Sequence, residues 1–129
     1  MKYIDLTNIQ ELEPLLDIDL DSVNIDFHND WNYQGLSAIG NNLFVCFHKT
    51  AISNQYCETN ALFIFSEVLK YESHSHENLQ PITLVNFARG GFTEEHIFFK
   101  NKDNRYFFLE FQEGLQFDIF CKKANIVMW

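Results

Sequence analysis

Proline is scarce in this chain of 129 residues, Pro14 and Pro81 being all of it, and no low-complexity or repetitive stretch interrupts the sequence. A linker between domains and a solenoid array are thereby excluded, so residues 1–129 read as a single domain with one core. No apolar run approaches the length of a membrane span, and Met1-Lys2-Tyr3-Ile4-Asp5-Leu6 has no continuous apolar stretch behind its lysine. A cytoplasmic location without a membrane partner is the expectation. The cysteines, Cys46, Cys57 and Cys121, are odd in number and widely spaced, which argues for reduced thiols over a disulfide framework. Basic residues are also few: 9 Lys and Arg stand against 18 Asp and Glu, for a net charge of −9. Residues 1–30 hold eight of the acids against Lys2 alone, a balance of −7, and the rest of the chain is nearly neutral at −2. Nucleic acid is excluded as a partner, because binding it needs basic residues that neutralise phosphates. A basic protein fits the charge.

Chemical signatures are equally sparse. There is no G-x-S-x-G elbow, no Walker or dinucleotide spacing and no CxxC or HxxxH pair. Asp17-Ile18-Asp19-Leu20-Asp21-Ser22 begins like a calcium loop, but Ser22 stands where the sharp turn needs Gly, and His28 where a bidentate Glu should close the shell. An edge strand or turn with Ile18 and Leu20 inward and the acids in water is the preferred reading. His74-Ser75-His76-Glu77 has the imidazole spacing of cupin-like metal sites, and Cys46-Phe47-His48 puts a thiol and an imidazole on one strand face. Neither has the further ligands a metal needs, so no catalytic residue, metal or cofactor is assigned. The alternative is a small-ligand or metal-dependent β-barrel enzyme using His74 and His76, with His96 or Cys46. Arg89-Gly90-Gly91 reads as a structural turn.

What the chain does have is aromatic mass and a period of two. Aromatic residues make up 16% of it, with 14 Phe, enough apolar surface to offset the conformational entropy of folding. Val23, Ile25 and Phe27 alternate with Asn24, Asp26 and His28, as on a strand with one face buried. Leu36–Ile39 and Leu43–His48 flank Gly40-Asn41-Asn42 as a hairpin. Ala61–Tyr71 is a long apolar run whose alternation slips at Ser66-Glu67, where a bulge is expected. After Ile82–Phe87, the carboxyl third reads as a meander of His96–Lys100, Arg105–Phe111, Leu115–Cys121 and Ile126–Trp129. A helix is expected once, after a strand at Tyr3–Leu6: Thr7 with Gln10 and Asn8 with Glu11 form capping boxes, and Ile9, Leu12 and Leu16 share a face, with Pro14 shortening or kinking it. Tyr106-Phe107-Phe108-Leu109 is apolar on both faces, as for a strand covered by that helix or by a second sheet. The expected fold class is α+β, predominantly β: a curved antiparallel sheet, half-barrel or sandwich, with one short N-terminal helix.

The expected binding surface is the acidic segment Asp17, Asp19, Asp21, Asp26 and Asp30, with Trp31 and Tyr33 beside it as aromatic anchors for a basic partner. Asp30-Trp31-Asn32-Tyr33-Gln34-Gly35-Leu36-Ser37-Ala38-Ile39, followed by Asn41-Asn42-Leu43-Phe44-Val45-Cys46-Phe47, resembles a hairpin of small bacterial immunity-type proteins. The resemblance covers under a fifth of the chain. It implies a cytoplasmic protein that neutralises a toxin, such as a basic nuclease domain, by direct binding, and it transfers no catalytic residue. A third expectation is a self-associating structural or phage-encoded module, monomer or weak homodimer, that buries Val127 and Trp129.

Overall fold

Alternating apolar and polar residues make strands that bury one face, and a computed structural model of the chain shows how these faces close on one another. It describes residues 1–7, 17–20, 22–50, 55–74, 84–89, 106–111 and 115–129. The strands are β1 (Lys2–Asp5), β2 (Asp17–Leu20), β3 (Val23–Asp26), β4 (Trp31–Ile39), β5 (Asn42–Lys49), β6 (Asn60–His74), β7 (Leu84–Arg89), β8 (Tyr106–Phe111) and β9 (Gln116–Met128). Seven of them form one antiparallel sheet in the order β4-β5-β6-β9-β8-β7, with β1 added beside β9, while β2 and β3 form a separate hairpin. The large sheet curls until its two ends, β4 and β7, come within 8 Å between Cα atoms.

The curvature has a local origin in β6 and β9. Glu67 takes φ 53°, and the register of β6 against β9 shifts between Val68 and Lys70, at the place where the apolar alternation slips. Across from it, β9 buries Phe117, Ile119 and Cys121, then exposes Lys122 and Lys123 in succession and buries Ala124, Ile126 and Met128. One change of parity in each strand bends the pair without breaking the ladder. The segments expected as two strands, Leu115–Cys121 and Ile126–Trp129, are therefore one strand, which joins β6 on one side to β8 and β1 on the other.

Rings fill the concave side. Phe27 meets Phe63 edge-on at 4.9 Å, Phe47 lies 4.6 Å from Phe63, and Tyr33 lies 4.7 Å from Phe111, joining β4, β5, β6 and β8 in one aromatic core. The β2–β3 hairpin covers this side, with Ile25 fully buried and Ile18 and Val23 packed against the same cluster. Here the fold-class expectation is corrected. Among the described residues there is no helix, and the fold is predominantly β: the seven-stranded antiparallel sheet and the β2–β3 hairpin, with the Phe27–Trp31 turn, enclose the aromatic core. The segment 9–16 carrying the helix assignment lies outside the described residues, as does the strand expected at His96–Lys100. Thr7 itself ends the β1 ladder, its hydroxyl donating to the Ala124 carbonyl at 3.1 Å and accepting from the Ala124 amide at 3.0 Å.

The convex side is built in cross-strand rows. Register places Tyr3, Val127, Leu62, Cys46 and Gly35 side by side across β1, β9, β6, β5 and β4. A second row runs Asp5, Asn125, Ile64, Phe44 and Ser37.

Candidate partner-binding surface

The acidic segment folds as a hairpin because its period is two. Register pairs Asp17 with Asp26, Ile18 with Ile25, Asp19 with Asn24 and Leu20 with Val23, so acids and amides alternate with aliphatic residues across both strands. Ile18, Val23 and Ile25 turn to the core, leaving Asp19 and Asn24 exposed on the other side. Asn24 Nδ2 donates to Asp19 Oδ1 at 2.9 Å, so the carboxylate at this face is held in place by a neutral donor. The chain reverses at Ser22, with φ 68°. Residues 17–20 thus form a strand paired with β3, with Ile18 inward and Asp19 outward.

Asp26 organises the next turn. Its carboxylate accepts from the amides of His28 and Asn29, each at 3.0 Å, and from Asn29 Nδ2 at 2.6 Å, while its carbonyl accepts from the Asp30 amide at 3.0 Å. Burial works to raise the Asp26 pKa, but the hydrogen bonds from Asn29 and His28 outweigh it and hold the carboxyl below its ordinary value. Asp30 goes the other way: burial and the neighbouring Asp26 charge raise it, against a smaller opposing pull from Lys49. The two acids thus have different tasks. Asp26 is committed to a turn, and Asp30 is an acid whose charge is disfavoured where it sits.

The aromatic part of the expected surface is corrected. Trp31 is fully buried, its Nε1 donating to the Tyr56 hydroxyl at 3.3 Å, and Tyr33 is half-buried against Phe47, Phe111 and Phe117. Both positions lie on the inward side of β4, and the register shift between Tyr33 and Gly35 then brings Leu36 to that same side. Neither ring stands beside the acids as an anchor. Asp17 is placed by its backbone, opposite Asp26, and Asp21 lies outside the described residues. The structure therefore brings Asp19 and Asp26 to one outward hairpin face, with Asp30 at its end, and sends Trp31 and Tyr33 to the core.

Three residues that sequence reading passed over close the end of the core beside this turn. Lys49 Nζ donates to the Tyr56 carbonyl at 3.1 Å and lies 4.1 Å from the centre of the Tyr56 ring. Glu58 is 8% exposed; Lys2 Nζ is 3.9 Å from its Oε1, and its Oε2 has no hydrogen-bond partner among the described residues. Tyr56, Cys57 and Glu58 alternate buried, exposed, buried, but three residues outside any strand give no period to read.

Among the described residues no three His, Cys, Asp or Glu side chains converge to hold a metal. Cys46 and His48 share the convex face as expected, and His48 Nδ1 sits 3.4 Å from Asn60 Oδ1. His74 ends β6, whereas His76 and His96 lie outside the described residues. Cys121 is fully buried in the core cluster, and burial pushes its thiol up to about 12.

The fold and this surface define a small, predominantly antiparallel β protein with a hairpin that is apolar inward and acidic outward. Comparison with models of known families, with curated proteins and with solved structures finds no match. No helix among the described residues is long and apolar enough to cross a membrane.

Proposed function

We propose that this protein is a binding inhibitor that neutralises a basic protein, in the manner of a cytoplasmic immunity protein meeting its cognate toxin. The observation that carries the reading is the sidedness of the β2–β3 hairpin: Ile18, Val23 and Ile25 fix it to the core, so Asp19 and Asp26 are held outward on a backed surface. A pre-organised acidic face loses little entropy on binding, speeds encounter with a basic partner and discriminates against acidic ones. The binding residues in this reading are Asp17, Asp19, Asp21, Asp26 and Asp30, without Trp31 and Tyr33. The partner expected is a basic toxin domain, possessing the Lys and Arg clusters that nucleases use for phosphates.

The test is rescue. Cells expressing a basic toxin encoded beside this gene should survive when the chain is co-expressed, and the two proteins should co-purify. Asp19→Lys should slow association roughly tenfold or more at low salt while leaving the fold intact. If no adjacent basic protein binds the chain and no toxicity is relieved, the reading fails.

A further inference from the structure

Cys46 and His48 stand two residues apart on the convex face of β5, and their cross-strand neighbours differ. His48 pairs with Asn60 of β6, and its Nδ1 lies 3.4 Å from Asn60 Oδ1. Asn60 Nδ2 donates to Thr59 Oγ1 at 3.3 Å, which turns the carboxamide oxygen toward the ring. With Nδ1–H donating to that oxygen, Nε2 is the nitrogen left to accept a proton. Same-face residues of a strand follow one another about 6.6 Å apart, a gap that a thiol and an imidazole leaning together can close. Cys46 is a free, half-buried thiol. On the β4 side it faces Gly35, at φ 156°, where the register shifts between Tyr33 and Gly35. A Cβ at Gly35 would meet nothing within 4 Å, so the strand opposite the thiol leaves open space for an approaching molecule.

We propose that Cys46 is a reactive thiol that exchanges with a low-molecular-weight disulfide to form a mixed disulfide, with His48 as its base and Asn60 as the residue that positions the ring. Base beside nucleophile, with a third group orienting the base, is the arrangement that activates a thiol. Acyl transfer would also need donors to hold an oxyanion, whereas disulfide exchange needs only a thiolate and access, so a small disulfide is the substrate class that fits an open sheet face. In the step, His48 Nε2 takes the Cys46 proton and the sulfur attacks one sulfur of the disulfide. A bond forms between Cys46 and that sulfur as the original S–S bond breaks. The other half leaves as a thiolate and recovers the proton from the imidazolium. Cys46 is oxidised and the departing half is reduced, so a single disulfide accounts for all the electrons.

The other two cysteines are internal references, Cys57 being exposed and Cys121 buried. The full chain is incubated with glutathione disulfide, quenched at intervals and mapped by peptide mass spectrometry, so that each thiol is timed separately. Cys46 should be modified roughly fivefold faster than Cys57 or more, although Cys57 is the more exposed, and Cys121 should stay reduced while the chain is folded. His48→Gln, which can still donate to Asn60 but cannot take a proton, should remove that advantage and leave the Cys57 rate and the thermal melt unchanged. Asn60→Ala should slow Cys46 less than His48→Gln does. Between about pH 6 and 9 the Cys46 rate should show a rising step that Cys57 lacks and that His48→Gln abolishes, a signature that a merely structural His48 would not give. Cys57 reacting as fast as Cys46 overturns the proposal, as does a Cys46 rate and pH profile untouched by His48→Gln. Neither result bears on the acidic hairpin, which lies on the concave side.

Discussion

Asp26 and Asp30 are four residues apart and respond oppositely to acid. Asp26, held below its ordinary 3.8 by donors in the folded chain, contributes stability that is present above that value and lost as pH falls through the lowered folded value. Asp30, raised by burial and by the Asp26 charge, contributes stability that is full below 3.8 and lost as pH rises through its higher folded value. Asp26→Asn should cost about 1 kcal/mol at pH 7 and flatten the loss of stability below pH 4. Asp30→Asn should be neutral or slightly stabilising at pH 7, with its advantage gone by pH 3. Urea unfolding at pH 7, 5 and 3 separates the two. A third residue-scale expectation concerns Tyr56: replacing it with Phe leaves the buried Trp31 N–H without its acceptor, for a loss of about 1–3 kcal/mol in the same assay. Trp31 itself shows why side-chain roles were only partly legible. An acid-flanked aromatic reads the same from sequence whether it faces water or core, and only the register of β4 against β5 decides which.

At the scale of elements, period and turn chemistry carried most of the strands. Gly40, at φ 59°, supplies the reversal between β4 and β5, and the hairpin lies where Gly40-Asn41-Asn42 put it. The extension of β4 back to Trp31 was not legible, because the register shift between Tyr33 and Gly35 interrupts the alternation. The same physics hid the continuity of β9: a parity change at Lys122-Lys123 looks like a loop until both flanking halves are seen on one partner, β6. Glu67 lets this element be tested. A non-glycine residue at φ 53° carries roughly 1 kcal/mol of left-handed strain, and its ion pair with Lys123, at 3.9 Å with both partners exposed, offsets little of it. Glu67→Gly should therefore be neutral to about 1 kcal/mol stabilising, despite the greater freedom glycine gives the unfolded chain. Ser66→Gly, one residue earlier at an ordinary φ, should destabilise by about 0.5–1 kcal/mol. Comparing the two melts assigns the bend to Glu67. Equal losses in both variants would refute it.

For the whole molecule, the distribution of charge links folding to recognition. The imbalance toward acid in residues 1–30 and the inward side of each strand, Ile18 in one and Ile25 in the other, were legible from the sequence, but the pairing of the two strands as one hairpin over the aromatic core was not. Folding gathers like charges: Asp17 and Asp26 occupy directly opposed positions, an arrangement that destabilises a strand pair. Salt should therefore stabilise this protein. Between 0.01 M and 1 M the screening length falls from about 30 Å to about 3 Å, which removes repulsion among surface carboxylates and barely touches the buried core. The melting temperature should rise over that range by several degrees. Asp19→Lys, with its lysine next to these acids, should melt higher than the parent at low salt and lose much of the salt increment, while binding a basic partner more slowly. Stability gained together with encounter rate lost would mark the hairpin acids as retained for binding at the expense of the fold. A variant that melts higher and still associates at the parental rate would place the recognition surface elsewhere on the molecule.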